Sequence, residues 1–269
     1  LLSYSTSLNP PSYHFLNIRI LKSMNTLQNK ICLVTGGTRG IGRAIAEMLL
    51  QEGALVVVCG RDTAGVNQAV SEMGVHWPGK VRGKAADVKD HEAVGALFEF
   101  VDREFGGLDV LVNNASTFYP TPLSELNLAQ WDDLMGSNLR APLFLSQAAA
   151  PHLVRTRGAI VNIVDVHAER PLAKFVVYSV AKAGLQMLTY AMAREMGPEV
   201  RVNGVAPGAV LRPDDMDIQT WDQAIYERIP LRRGGHPADV AACVLYLATT
   251  GGYVNGQVIA VDGGRNLGF

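Results

Sequence analysis

Residues 31–53 read ICLVTGGTRGIGRAIAEMLLQEG, which is an aliphatic run, a glycine-rich loop and a segment with helical periodicity. A short run that is apolar on both faces predicts a strand buried in a parallel sheet, and the loop then opens the following helix. Gly36, Gly40 and Gly42 would let the backbone approach a pyrophosphate at the helix N-terminus, where free N–H groups favour an anion. A tight strand–helix turn with positive φ also requires glycine, so this motif alone leaves both interpretations open.

The alternation of strand-like and helix-like segments continues along the chain. Aliphatic runs occur at 31–35, 54–60, 80–87, 108–114, 158–164, 200–206 and 257–263, and helix-period segments at 40–53, 90–106, 138–153 and 178–197. Parallel strands joined by helical crossovers form right-handed βαβ units. The sequence therefore predicts an α/β protein with a single doubly wound, Rossmann-type parallel sheet of seven strands and helices on both faces.

Domain organisation follows from the same pattern. Residues 1–23 contain Arg19 and Lys22 but no acid, and show no sustained period. We expect a disordered extension there, with a transit-like peptide as the alternative. No repeat or low-complexity linker interrupts residues 24–269, which we expect to form a single dinucleotide-binding catalytic domain. The polar, proline-flanked stretch at about 208–233 is expected to be a substrate lid.

Charge and composition exclude several classes of function. The 269 residues carry 24 Lys+Arg and 25 Asp+Glu, so the near-zero net charge gives no attraction to nucleic acid or anionic membranes. No apolar run approaches the roughly 18 residues of a membrane-spanning helix. Three cysteines lie far apart in aliphatic runs, namely Cys32, Cys59 and Cys243. We expect reduced, buried thiols and a cytoplasmic protein.

The histidines do not form a metal-binding pattern. Four of them lack further ligands at helical spacing: His91, His152, His167 and His236. Surface or helix-capping roles are the better interpretation, so no metal site is predicted.

Five motifs follow one another along the chain. They are TGGTRGIG at 35–42, NNAS at 113–116, Tyr178-x-x-x-Lys182, APG at 206–208 and VDGG at 261–264. In this order they resemble the short-chain dehydrogenase/reductase family, and the resemblance covers nearly all of residues 28–267. It implies an oxidoreductase with a nicotinamide cofactor, and a homotetramer or homodimer formed through the helix that carries the Tyr–Lys pair.

The resemblance also implies the catalytic set Asn138, Tyr178 and Lys182. Positions i and i+4 share one helix face, so the lysine can hold the nicotinamide ribose and lower the pKa of the phenol. A phenol with a pKa of about 10 is otherwise a poor acid or base at neutral pH. The cofactor contacts implied are Gly36, Thr38, Arg39, Gly40, Ile41, Gly42, Asp87, Val88, Asn113, Ala115, Ser116, Tyr178, Lys182, Pro207 and Gly208.

Cofactor choice depends on the end of the second strand, VVVCGRD at 56–62. NAD enzymes of this type carry an acid there, which pairs with the ribose hydroxyls and would repel a 2′-phosphate. Gly60 occupies that position, and the guanidinium of Arg61 suits a phosphate. Arg39 could add a second cation. We therefore expect NADP(H), with Asp62 as the contrary residue if the register shifts by two.

One position departs from most of the family and indicates a substrate. Where a serine thirteen residues before the catalytic tyrosine usually donates to the substrate carbonyl, this chain has Asp165. A carboxylate offers a ketone oxygen no donor and opposes the developing oxyanion. Beside Tyr178 its charge would keep the phenol protonated, as an acid for a nitrogen atom. In this respect the chain resembles the pteridine reductases of the same family.

Two further segments resemble pteridine reductases. In NNASTFYPTPL, residues 113–123, Ser116 would contact the cofactor or pterin, and Phe118 would stack on the pterin ring. The other segment resembles their substrate lid through Asp214, Asp215, Met216 and Trp221. Hydrophobic packing under a loop is the alternative interpretation for the two aromatic residues.

The N-terminal half instead resembles general members such as 3-oxoacyl reductases. Gly40 stands where pteridine reductases commonly carry Arg, and CGRD replaces a His-Arg-Ser segment. Because substrate determinants lie mainly in the second half, the leading hypothesis is NADPH-dependent reduction of a dihydropterin or dihydrofolate C=N bond. The alternative is a carbonyl reductase or alcohol dehydrogenase of the same family. A cofactor-binding sensor without turnover is a third hypothesis.

Overall fold

Within residues 26–210 and 225–267, which the computed structural model describes, seven strands form one parallel sheet. The strands are β1 Ile31–Thr35, β2 Leu55–Gly60, β3 Val81–Ala85, β4 Val110–Asn113, β5 Ala159–Ile163, β6 Arg201–Pro207 and β7 Val258–Val261. Their order is β3-β2-β1-β4-β5-β6-β7, and each neighbouring pair is parallel. The predicted doubly wound sheet is confirmed.

Helices cover both faces of this sheet. The principal ones are α1 Gly40–Gln51, α2 Thr63–His76, α3 His91–Phe105, α4 Leu128–Met135, α5 Ala141–Thr156, α6 Val176–Met196 and α7 Pro237–Ala248. Helices α1, α2 and α7 pack on one face, and α3, α5 and α6 on the other. Sequence periodicity places α1, α3, α5 and α6 to within a few residues. It does not indicate α2, α4 or α7. In α7 the reason is that PADVAACVLYLA is apolar almost all round and shows no stripe.

The two hydrophobic layers explain why the strands read as continuous apolar runs. In β1, Cys32 and Val34 point to the face covered by α1 and α7, while Leu33 points to the face covered by α3, α5 and α6. Successive strand side chains alternate between faces, so the central strands of a sheet covered on both sides are apolar at most positions.

The register brings three functional loops to one edge of the sheet. Val34 of β1 lies beside Val112 of β4, which in turn lies beside Val161 of β5. The loops that follow these strands therefore leave the sheet side by side. From β1 the strand order runs outward to β3 on one side, and from β4 it runs outward to β7 on the other, so the topology switches between β1 and β4. Ligands of such folds bind in the crevice at that switch point.

Several expectations fall on residues outside the described ranges. These are the extension at 1–23, the lid residues 211–224 and, among them, Trp221. The cysteines lie as expected: Cys32 and Cys59 are buried, and Cys243 is partly buried. Burial raises the pKa of Cys59 to about 12 and that of Cys243 to about 11. In the described part of the chain, none of the helices combines the length and apolarity that a membrane crossing requires.

Candidate active site

The glycine-rich loop presents free backbone N–H groups at the start of α1. Gly36 and Gly40 adopt positive φ, at 63° and 57°. Arg39 has extended backbone at the N-cap position, but its side chain makes no capping hydrogen bond, and the first turn of α1 holds no acid. The N-terminal donors of a helix normally find a side-chain cap, water or a ligand. This loop therefore fits the diphosphate of a dinucleotide.

The third glycine serves close packing of the loop. A Cβ atom at Gly42 would collide with the carbonyl oxygen of Gly36 and with Nδ2 of Asn114. That amide nitrogen donates to the carbonyl oxygens of Thr35, at 2.8 Å, and of Gly36, at 3.1 Å. Asn114 thus fixes the loop from the neighbouring strand β4. It stands inside the NNAS motif, but its role requires the contact between β1 and β4, which spacing alone does not reveal.

Substituting Gly42 with Ala is expected to destabilise the fold by about 1–3 kcal/mol, because the methyl group must displace backbone atoms. It should also abolish the binding of a nicotinamide dinucleotide, since the displaced atoms form the loop. Urea unfolding and fluorescence titration measure the two effects. The matched control is Gly95→Ala on α3, where a Cβ meets no atom within 4 Å. The control should leave the affinity for the dinucleotide unchanged, and equal effects in both variants would contradict a specific role of Gly42.

Tyr178 and Asp165 are in direct contact. The Tyr178 hydroxyl donates to Oδ2 of Asp165 at 2.7 Å, while Oδ1 accepts from the backbone N–H of His167 at 2.8 Å. Asp165 follows β5 and Tyr178 lies in the first turn of α6, so the sheet edge and the helix start bring them together. Burial and the charge of Asp165 raise the pKa of Tyr178 well above its usual value, and a hydrogen bond with Ser116 opposes them. The phenol is therefore held protonated.

Lys182 lies one turn further along α6 and is buried. Its ammonium donates to the carbonyl oxygen of Ile163 at 2.8 Å and lies 5.7 Å from the ring centroid of Tyr178. Burial lowers the pKa of Lys182 to about 8, and the charge of Asp165 acts in the opposite direction. A buried cation thus stands beside the phenol, as the spacing predicts.

Asn138 reaches the site from an irregular helical turn. Residues 136–140 form a π-helical turn between α4 and α5, a feature found frequently at functional sites. The amide nitrogen of Asn138 donates to the carbonyl oxygens of Leu134 and Thr117, each at 3.0 Å. Oδ1 accepts from the hydroxyl of Ser116 at 2.6 Å. The Ser116 hydroxyl also lowers the pKa of Tyr178, which puts it near the phenol, and the predicted catalytic residues lie in one cluster.

An aromatic pair flanks the tyrosine. Phe118 packs edge-on against Tyr178, with ring centroids 4.8 Å apart, and remains 48% exposed. It stacks on Phe175 with centroids 4.5 Å apart and an interplanar angle of 17°. Sequence reasoning predicts Phe118 but misses Phe175, which an isolated bridge between Thr121 and Phe175 brings alongside. An exposed aromatic surface beside a proton donor suits a flat ring.

Other residues with predicted cofactor contacts lie at the same edge in different surroundings. Asn113 is buried, and its amide nitrogen donates to Asn162 Oδ1 at 2.9 Å and Ser146 Oγ at 3.2 Å. It braces β4 against β5 and α5. Asp87 accepts from the backbone N–H of Lys89 at 3.0 Å, which shapes the loop after β3. Pro207 ends β6, and the N–H of the next residue, Gly208, donates to Val261.

The end of β2 bears on cofactor choice. Gly60 is its last residue, Arg61 follows and is exposed, and Asp62 is the N-cap of α2. The Asp62 carboxylate accepts from the N–H groups of Ala64, at 3.2 Å, and Gly65, at 2.8 Å. Both carboxylate oxygens of Asp62 therefore cap α2. Gly60 ends the strand, so the two-residue register shift that would bring Asp62 to the ribose does not occur.

The histidines take local structural positions. His236 caps α7 by accepting from the N–H of Ala238 at 3.2 Å, and a ring nitrogen of His167 lies 3.0 Å from the carbonyl oxygen of Arg170. Across residues 26–210 and 225–267, no three His, Cys, Asp or Glu side chains converge as metal ligands would.

Known proteins resemble this chain over nearly the whole of the fold described above. A family model described as enoyl-(acyl carrier protein) reductase matches residues 36–266. The chain is 35% identical over 243 residues to 3-oxoacyl-(acyl-carrier-protein) reductase of Thermotoga maritima, covering 88% of this chain and 98% of the relative. Gluconate 5-dehydrogenase of Gluconobacter oxydans is 34% identical over 249 residues, with 89% and 95% covered. A solved structure provisionally assigned as a short-chain alcohol dehydrogenase of Sinorhizobium meliloti has a TM-score of 0.86 at 31% identity, covering 91% of this chain and all of that one.

Proposed function

Since this chain belongs to the short-chain dehydrogenase/reductase family, we propose that it reduces a dihydropterin or dihydrofolate C=N bond with NADPH. The contact of 2.7 Å between Tyr178 and Asp165 carries this proposal. A carboxylate at this position replaces the serine donor that the family resemblance leads one to expect. It supports a reaction that needs a proton donor for nitrogen rather than a hydrogen-bond donor for a carbonyl oxygen.

The chemistry divides between the cofactor and the chain. NADPH, when bound, supplies the hydride that reduces the ring carbon of the C=N bond. Tyr178 gives its proton to the adjacent ring nitrogen, and a proton from solvent, relayed by the Asp165 carboxylate or by a water molecule, restores the phenol. Lys182 provides the positive charge next to the phenol, and the exposed face of Phe118 orients the ring.

The aromatic surface supports the same proposal. Phe118, stacked on Phe175 and in edge contact with Tyr178, keeps part of its ring exposed for a flat acceptor, whereas an acyl chain needs no such plane. Face-to-face contact with a planar heterocycle would hold the acceptor carbon in one orientation. This would lower the entropic cost of reaching the reactive geometry.

A second candidate is reduction of a carbonyl group, and the names of the relatives favour it. The 35% identical relative from Thermotoga maritima acts, by its name, on a 3-oxoacyl group. Gly40 in the glycine-rich loop also matches the general members of the family. In this candidate reaction an oxyanion would form about 3 Å from Tyr178, and the negative charge of Asp165 would destabilise it.

Product analysis tests the proposed function. The enzyme is incubated anaerobically with NADPH and dihydrobiopterin, and the products are separated by chromatography. We expect one tetrahydropterin formed for each NADPH oxidised. NADPH consumed only with a β-ketoacyl thioester, and no tetrahydropterin, would establish the second candidate instead.

We propose NADP(H) as the cofactor, supported by Gly60 and the exposed Arg61 at the end of β2 and by the capping role of Asp62. Arg61→Gln is expected to raise the KM for NADPH about tenfold, because a charge-assisted contact with the 2′-phosphate is lost. The KM for NADH, which has no such phosphate, should not change. Steady-state kinetics with both nucleotides measure this. An equal rise for both would contradict a phosphate contact.

The oligomer and the location stay predictions. A homotetramer or homodimer through α6 is supported by the exposure of Val180 and Met187 on that helix, since an interface between copies would cover apolar side chains. Cytoplasmic location rests on the three free thiols among the described residues.

A further inference from the structure

The two neighbours of Phe118 in the chain are both tied to the end of α4. On one side, the hydroxyl oxygens of Thr117 and Ser137 lie 2.5 Å apart, and Ser137 also donates to the carbonyl oxygen of Asp133 at 2.9 Å. On the other side, the hydroxyl of Tyr119 donates to Oδ2 of Asp133 at 3.1 Å. The position of Phe118 therefore depends on the residues that end α4 and on the carboxylate of Asp133.

A lysine from a different loop reaches the same carboxylate. Nζ of Lys89 lies 2.7 Å from Oδ1 of Asp133, and the two side chains are only 26% and 29% exposed. The backbone N–H of Lys89 donates to Asp87 at 3.0 Å, and a Cβ at Gly136 would lie 3.3 Å from Cδ of Lys89. The hydrogen bond from Lys89 lowers the pKa of Asp133, so the carboxylate is ionised. One oxygen thus accepts from the lysine and the other from Tyr119.

The loop that carries Lys89 follows β3 and lies beside the end of β2. Gly60 of β2 pairs with Ala85 of β3, and the N–H of Ala86 donates to the carbonyl oxygen of Gly60 at 2.9 Å. The glycine-rich loop after β1 suits the diphosphate, and the reacting Tyr178 lies on the side of β4 and β5. A dinucleotide with its nicotinamide at Tyr178 therefore has its adenosine half over the ends of β2 and β3, next to the Lys89 loop.

We propose that Asp133 is a positioning residue that joins the two halves of the site. Through Lys89 it holds the loop beside the adenosine, and through Tyr119 it holds Phe118 against the substrate ring. A dinucleotide that fixes one loop then reduces the ordering that the substrate must impose on the other, and this effect is reciprocal. The ring substrate rests on the proposed function, whereas the dinucleotide side rests only on a nicotinamide cofactor.

The test measures each ligand in the variant on the opposite side. Lys89→Met should raise the KM for dihydrobiopterin about fivefold at saturating NADPH, although Lys89 lies in the other loop. Tyr119→Phe should raise the Kd for NADPH, measured by fluorescence titration, to a similar extent. Asp133→Asn should raise both constants about tenfold, because both contacts lose a charged acceptor. The kcat should stay within about twofold, since Asp165 and Tyr178 keep their contact.

Two further variants examine the joint action. The double variant Lys89→Met/Tyr119→Phe should be no worse than Asp133→Asn, because both single changes act through one carboxylate and their effects are not additive. Lys89→Arg keeps the cation and should recover most of the affinity for both ligands.

The matched control is Glu104→Gln. Glu104 is 25% exposed and pairs with Arg82 at 3.1 Å, close to the beginning of β3 and therefore at the opposite edge of the sheet. This variant also removes the carboxylate of a partly exposed ion pair, so its effect on thermal unfolding should be similar to that of Asp133→Asn. The Kd for NADPH and the KM for dihydrobiopterin should not change in Glu104→Gln.

The dinucleotide and substrate measurements fail separately. Effects confined to one side, with Tyr119→Phe changing only the substrate and Lys89→Met only NADPH, would overturn the joint role of Asp133. Fully additive effects in the double variant would overturn it as well. If the wild-type enzyme does not reduce dihydrobiopterin, the proposed function fails, and the titration of Tyr119→Phe with NADPH, or with NADH if that binds more tightly, still decides. Weakened binding would support the role of Asp133, and unchanged binding would overturn it.

Discussion

Replacing Asp165 with Ser is expected to lower kcat for dihydrobiopterin by about 100-fold or more, the range of a lost general acid–base contact. The substitution removes the carboxylate oxygen that accepts from Tyr178 at 2.7 Å, together with its charge. It keeps an oxygen that can accept from the N–H of His167, so the turn after β5 should remain intact. The same variant should gain turnover of a β-ketoacyl thioester, because serine restores a donor for the oxyanion.

Asp165→Asn separates charge from shape. The amide has nearly the same size as the carboxylate but carries no charge, so a loss of pterin reduction in this variant would identify the charge as the essential property. Thermal unfolding of both variants checks that the fold persists. Pterin turnover that rises in Asp165→Ser would show that Asp165 takes no part in proton transfer.

Replacing Tyr178 with Phe is expected to lower kcat about 1000-fold, since the proposed mechanism takes the transferred proton from the phenol. Affinity for NADPH should remain, because the glycine-rich loop that holds the diphosphate is unchanged. Tyr190→Phe on the same helix is the matched control; Tyr190 is 36% exposed, and its substitution should not alter kcat. Stopped-flow measurement of NADPH oxidation resolves the difference. A Tyr178→Phe enzyme with near-normal kcat would remove the tyrosine from the mechanism.

The pH dependence follows from the same pair of residues. Because the pKa of Tyr178 lies well above 10, the phenol does not lose its proton in the neutral and mildly alkaline range. Lys182, whose pKa is lowered to about 8, loses its charge first as pH rises. The kcat/KM for NADPH, which reports the free enzyme, should therefore fall above about pH 8. In Asp165→Asn this decline should move to lower pH, because the carboxylate raises the pKa of Lys182.

Much of the fold follows from the sequence because the sheet is covered on both faces. Nearly every position in a central strand such as β1 is then apolar, and a run such as ICLVT has few other interpretations. The contact between Asp165 and Tyr178 is also predictable. Their spacing matches a family pattern, and the structure places the Tyr178 hydroxyl in contact with Asp165, whose charge together with burial raises the pKa of the phenol.

The remaining features depend on packing between distant segments. Asn114 acts on the glycine-rich loop only because β4 lies beside β1, and Phe175 meets Phe118 only through the bridge to Thr121. None of these contacts leaves a periodic pattern in the sequence. The sequence therefore predicts the proposed reacting residues of the site but not the residues that hold them in place.

The proposed role of Asp165 is to make this member of the family reduce a C=N bond rather than a carbonyl group. The most direct test is the ratio of kcat/KM for dihydrobiopterin to kcat/KM for a β-ketoacyl thioester, measured for the wild-type enzyme with NADPH in one buffer. We predict a ratio well above one, which Asp165→Ser lowers by at least 100-fold. A wild-type ratio far below one would contradict the claim and make the enzyme a carbonyl reductase.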